Sequence, residues 1–205
     1  MKRTRLLHFA GLTALALGIT YSAISLAMVV TPPTPPPATP EAAATPTPAT
    51  LPGPATTTAD GAPIDQARLV AGLEVFKEGG CRGCHGWAAN GEREGPNPEG
   101  PSLRATMLPL EWIGITIACG RPGTAMPYYS RDVYRRDSTT CYGQTPAEIG
   151  DRMPIRAGVR FTQQEVDDLA YYIEYFVKGR AEVTRTECEF YYGAGDARCA
   201  AYPAP

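Results

Sequence analysis

Three stretches of the chain carry a helical rhythm. From Asp65 to Gly79, the residues Leu69, Leu73 and Phe76 recur at i, i+4 and i+7, which is one face of a helix. Glu111 to Cys119 is strongly apolar and is followed by Gly120, a helix stop. From Thr162 onward, Val166, Leu169, Ala170, Ile173, Phe176 and Val177 repeat with the clearest period in the chain. Thr162 and Glu165 have the spacing of a capping box at its start. The first and last of these helices are expected to cross, with Gly72 allowing close approach near Tyr172 or Phe176. Little regular structure is expected between them, so the fold class predicted is all-α.

The first third of the chain has a different pattern. Lys2, Arg3 and Arg5 precede a nearly uncharged apolar run from Leu6 to Val30. At ~1.5 Å per residue that run makes a helix of roughly 37 Å, against ~30 Å of bilayer hydrocarbon. The basic flank stays inside and sends the rest of the chain across the membrane. Residues 1–30 therefore read as a signal-anchor or, with a small-x-small site at Ser25-Leu26-Ala27, as a cleaved signal peptide that leaves a soluble periplasmic protein. Residues 31–63 contain eleven prolines and read as a Pro/Thr/Ala-rich linker, because each proline removes a donor and fixes φ. A retained anchor gives such a spacer a use and puts the domain on the periplasmic side of the inner membrane. Residues 64–205 remain as one folded domain.

Charge narrows the function classes. The chain has a formal net charge of −2, and from Asp60 onward it carries 16 basic and 20 acidic residues. A nucleic-acid partner, which calls for a basic face, is not indicated.

Cys81-Arg82-Gly83-Cys84-His85 then supplies a chemistry. Two thiols on one helical turn can each add to a haem vinyl group, and the adjacent histidine faces the iron; the spacing reads as c-type haem attachment. A zinc site needs further Cys or His pairs at matching spacing, and a thioredoxin-like pair expects a βαβ setting. The chain has 2 histidines, and the other, His8, lies in the apolar N-terminal run. A second histidine on the same iron is thereby excluded unless a partner brings it. Met126 and Met153, both followed by proline, are the candidate sixth ligands. Proline after the ligand keeps its loop extended and rigid. A thioether ligand raises the reduction potential. Met107 is expected in the core.

Four elements together resemble the class I cytochromes c, over about Ile64 to Gly179. They are the Gly-x-x-x-Phe helix (Gly72 to Phe76) leading into Cys81–His85, the Gly-Pro-Ser-Leu element (Gly100 to Leu103), the Gly-x-x-Met-Pro loop (Gly123 to Pro127) and the C-terminal amphipathic helix. The resemblance implies a small helical domain around one covalent haem c, with Met126 as the axial thioether. An inserted segment between that loop and the last helix departs from the pattern and leaves Met153, at the more usual distance from the helix, as the alternative. The resemblance further implies a single-electron carrier, not an enzyme. Its partners would be a bc1-type complex, a haem-copper oxidase or a periplasmic dehydrogenase. A fixed cytochrome subunit of a larger oxidoreductase is the alternative. A haem enzyme or sensor with an open sixth position is a third reading, and it requires that neither methionine bind.

Cys119, Cys141, Cys188 and Cys199 remain, an even number that suggests disulfides in an oxidising compartment. Of three possible pairings the most economical is Cys119–Cys141 with Cys188–Cys199. The first would close a loop containing Met126 and contribute ~3 kcal/mol in the chain-entropy model. The second would pin a tail, Glu187–Ala200, too polar and glycine-rich to hold itself down. Arg131, Arg135 and Arg136 read either as a docking patch for an acidic partner or as a solvated loop balanced by Asp132 and Asp137. Trp87 and Trp112 read as haem-packing or as plain core.

Overall fold

Asp65 opens the first helix. Its carboxylate accepts from the backbone N–H groups of Ala67 (2.9 Å) and Arg68 (3.2 Å), two donors that the first turn leaves unpaired. The structure, a computed structural model, describes residues 57–204. The predicted membrane segment 1–30, and the linker as far as residue 56, lie outside the described residues. Among the described residues no helix is long and apolar enough to cross a membrane.

In chain order the elements are α1 (Gln66–Glu78), the single turn α2 (Arg82–His85), α3 (Leu110–Cys119), β1 (Tyr128–Ser130), the short α4 (Pro146–Ile149) running into a 3₁₀ turn (Gly150–Arg152), β2 (Arg156–Phe161), α5 (Gln163–Tyr172) and α6 (Arg185–Tyr192). The last turn of α5 widens to π geometry over Ile173–Val177, and a 3₁₀ turn (Ala197–Ala201) follows α6. The capping box at Thr162 forms: its side chain accepts from the Glu165 N–H while Glu165 accepts from the Thr162 N–H at 2.6 Å.

The α1–α5 crossing is the centre of the packing. A Cβ at Gly72 would lie 2.5 Å from the Cβ of Tyr172, so only glycine lets the helices meet at this depth. Around the crossing, the Asp65 N–H donates to the Tyr171 hydroxyl (2.8 Å) and the Arg68 guanidinium pairs with Asp168 (2.8 Å). Leu69, Leu73, Phe76, Val166, Leu169, Ile173 and Phe176 are all buried here, and α3 adds Ile113 and Ile117. Each such side chain is worth roughly 1.5–3 kcal/mol when fully buried.

The structure departs from the sequence-based expectations at several points. It contains a two-stranded parallel sheet, with Tyr128 opposite Arg156 and Ser130 opposite Phe161. β1 has only three residues and pairs far along the chain, so no alternation announces it. Met107 is 90% exposed and is not a core residue. Trp112 is 44% exposed and stacks on Tyr142. The tail does hold itself: Thr184 and Glu187 form a third capping box and start α6. Glu187 is also buried against Arg104 (2.9 Å) and Arg180 (3.4 Å). Arg104 further donates to the carbonyls of Ala88 (3.2 Å), Arg180 (3.0 Å) and Glu182. One guanidinium thus ties α6 to the segment that follows α2. The two disulfides are Cys119–Cys141 and Cys188–Cys199, as the spacing suggests.

Candidate functional site

Cys81, Cys84 and His85 sit on one turn at the end of α1. Gly80, at φ +65°, reverses the chain there, and the Cys81 N–H still reaches the Phe76 carbonyl at 3.2 Å. The His85 N–H donates to the Cys81 carbonyl at 2.9 Å, which closes the turn. The two thiols remain free, although the other four cysteines pair. Burial pushes the Cys81 thiol up to about 12, so it stays protonated. A low-pKa redox dithiol would have the opposite shift. Its neighbour Tyr129 donates to the Gly79 carbonyl (2.9 Å) and stacks on Phe161, with centroids 4.7 Å apart.

The imidazole of His85 is 7% exposed, and its burial lowers its pKa and favours the neutral ring. Nδ1 lies 2.8 Å from the Pro101 carbonyl. A carbonyl only accepts, so Nδ1 carries the proton and Nε2 keeps its lone pair. Gly100 makes this possible: a Cβ there would stand 2.7 Å from the ring. The Gly-Pro-Ser-Leu element is therefore a seat for the imidazole.

The Met126 loop is held from several directions. The Arg121 N–H donates to the Met126 carbonyl (3.2 Å), and the Gly123 N–H donates to the Arg152 carbonyl (2.8 Å). Upstream, the Cys119–Cys141 disulfide fixes the end of α3, and the last carbonyls there accept from hydroxyls of Tyr134 (to Cys119, 2.6 Å) and Tyr142 (to Gly120, 2.5 Å). Met126 is half-buried and packs against the core that Cys81 also joins. Met153 is half-buried on the 3₁₀ turn, its N–H donating to Gly150 at 3.0 Å, and is not among the residues packed on that core.

A groove of about 360 Å³ runs beside the motif, walled by Gly79, Gly80, Pro127 and Tyr129 on one side and by the 155–159 segment on the other. Trp87 packs against Tyr191, Tyr192 and Tyr202 at 5.3–5.8 Å between centroids. The three arginines named from the sequence do not act as one patch. Arg135 is ion-paired to Asp132, Arg131 donates to the Arg160 carbonyl (3.4 Å), and Arg136 is exposed.

The residues present suit a covalently held haem: two unpaired thiols on one turn, an imidazole oriented by its Nδ1 proton, and a thioether on a braced loop. Among the described residues no group of three or more His, Cys, Asp or Glu converges. Sequence reading missed Pro101 as the partner of His85, Tyr129 beside Cys81, and Arg104 behind the motif; only the Gly-Pro pair gave a signal. Searches against protein-family models, curated proteins and solved structures returned no match.

Proposed function

We propose that this chain is a single-electron carrier in which Cys81 and Cys84 would hold one c-type haem covalently, with His85 and Met126 as the residues that would ligate its iron. The observation that carries the reading is the His85 Nδ1–Pro101 contact beside two free thiols. When bound, the haem supplies an iron that gains or loses one electron. The chain's own residues do the rest. His85 presents Nε2 because Pro101 fixes its tautomer. The braced 120–127 loop keeps the Met126 sulfur from swinging to solvent. Phe76, Phe161 and Tyr129 supply buried aromatic surface next to the motif. No acid or base is needed, so the chain is read as a carrier and not as an enzyme. Residues 1–30 anchor it with the domain on the periplasmic side, near membrane complexes, of which a bc1-type complex, a haem-copper oxidase and a periplasmic dehydrogenase suit the family resemblance. Tethering raises the effective concentration at such partners.

The test is the haem content and ferric spectrum of the matured protein. Covalent haem that survives denaturation, lost in Cys81→Ala/Cys84→Ala, is expected. A weak sulfur-to-iron band should be present in wild type and Met153→Ala and absent in Met126→Ala. A wild type without the band that takes up small ligands overturns the carrier reading in favour of an enzyme or sensor.

One observation favours the alternative of a fixed subunit. Met107, Leu108, Leu110 and Trp112 form an exposed apolar run. Co-purification of the chain with a large catalytic subunit in stable stoichiometry selects that reading.

A further inference from the structure

The segment that leads into α3 is pinned to the end of the α5 helix at two points. The Arg104 carbonyl accepts from the Gly179 N–H (2.8 Å), and the Leu108 carbonyl accepts from the Lys178 ammonium (2.8 Å). Lys178 is paired in turn with Glu174 at 2.9 Å. Between and just beyond these bonds, Met107 is 90% exposed, Trp112 44%, Leu108 39% and Leu110 37%. A braced backbone thus presents four apolar side chains to water, and such a patch marks a contact surface. None of the four lines the groove beside Cys81.

The chain enters the domain at the same helix end. The Asp65 N–H donates to the Tyr171 hydroxyl (2.8 Å), and the Tyr175 hydroxyl faces the Ala59 backbone. Residues 57–63 fold back on themselves there: the Thr58 N–H donates to the Ala62 carbonyl (2.7 Å), and Thr57 bridges to Pro63. Tyr171 and Tyr175 form one i, i+4 row, and Glu174 and Lys178 form the next. The first row takes the entering chain and the second takes the apolar run, so the two lie side by side.

We propose that Met107, Leu108, Leu110 and Trp112 are a lipid contact, entering the interfacial zone of the bilayer beside the point where the tether joins the domain. This rests on the reading of residues 1–30 as an anchor, which keeps this end of the domain near its own membrane. An indole has an apolar body and a polar N–H, and it favours the membrane interface. On 105–112 and 173–178 the charged side chains are Glu111, Glu174 and Lys178, which make no basic patch. The attraction is therefore apolar, and zwitterionic lipid suffices. A weak contact is enough, because the tether raises its effective concentration. The ten residues of α3 then set about 15 Å between the lipid contact and the Cys119 end, where the Met126 loop is braced. A catalytic subunit on the same face is the competing occupant.

The experiment uses the full-length, haem-matured chain in phosphatidylcholine vesicles in which some lipids carry a diazirine on the acyl chain. Light converts the diazirine to a carbene that inserts into neighbouring bonds, and mass spectrometry maps the label. Label on 107–112 should exceed that on Ile155, an exposed apolar residue bonded to β1, by at least about fivefold. It should not change between about 20 mM and about 200 mM salt, which a contact made by charge would not survive. Met107→Asp, at a position too exposed to disturb folding, should cut the label on 107–112 at least about fivefold, because a carboxylate resists leaving water. Ile155→Asp should leave it unchanged. An unlabelled 107–112 beside a labelled 6–30 overturns the lipid contact, leaves the anchor standing and selects the protein occupant. An equal loss in both variants also overturns the contact. Label on 107–112 in a chain whose residues 6–30 are cleaved or unlabelled means that the anchor reading fails and the lipid contact stands.

Discussion

The proton on Nδ1 of His85 is held by the carbonyl of Pro101, 2.8 Å away, and Gly100 leaves the room in which the ring lies. Gly100→Ala is expected to push the imidazole off this acceptor. The matured variant should show a lowered reduction potential and a weakened sulfur-to-iron band while far-ultraviolet ellipticity stays native. An unchanged potential removes the seat role assigned to Gly100.

Gly72 makes a second prediction, on stability alone. A methyl there drives into Tyr172, so Gly72→Ala should cost about 1–3 kcal/mol as an overpacking change, despite alanine's better helix propensity. Denaturant melts of the matured protein check it. A stabilised variant means that the helices do not approach as closely as described.

The Cys119–Cys141 link closes a loop that includes Met126. Cys119→Ser/Cys141→Ser should lose ~3 kcal/mol. Its sulfur-to-iron band should also disappear on heating before the helices melt, because the loop's brace has gone. In wild type the two events should coincide.

Arg104 and Glu187 are 7% and 5% exposed. Arg104→Leu leaves a buried carboxylate with fewer partners and should cost about 3–5 kcal/mol, while Arg104→Leu/Glu187→Leu should recover much of it. Burial alone would raise the Glu187 pKa, but hydrogen bonds from Arg104 and Thr184 and the nearby arginine charges leave it below 4.5. A folded pKa below the unfolded one stabilises the protein above pH about 4.5, and that contribution is lost as pH falls through the folded value. Acid titration of Glu187→Gln should therefore show a shallower loss of stability below pH about 4.5 than wild type.

The parts legible from sequence are those written in local rhythm. Leu69, Leu73 and Phe76 announce α1, Thr162 and Glu165 announce α5, and Gly72 marks the crossing, because spacing within one helix decides each. The Cys119–Cys141 pair was equally accessible, being the shorter closure. β1 and β2 were not, since Tyr128 meets Arg156 through a return of the chain that no short window contains. Met107 is not legible as a surface residue, because its apolar neighbours in sequence, Leu108 and Leu110, belong to an exposed run. Thr184-x-x-Glu187 at the start of α6 is the same signal that marks α5. In the site, Cys81, Cys84 and His85 were given by their spacing, whereas Tyr129 and Arg104 reach it through tertiary contacts alone.

The aromatic shell around Trp87 has a consequence for the order of assembly. Trp87 stands two residues beyond His85, yet its cover comes from Tyr191, Tyr192 and Tyr202. At a synthesis rate of ~5–20 residues per second, residue 202 follows residue 87 by on the order of ten seconds. Through that interval Trp87 lacks the aromatic cover that the C-terminal tail later supplies.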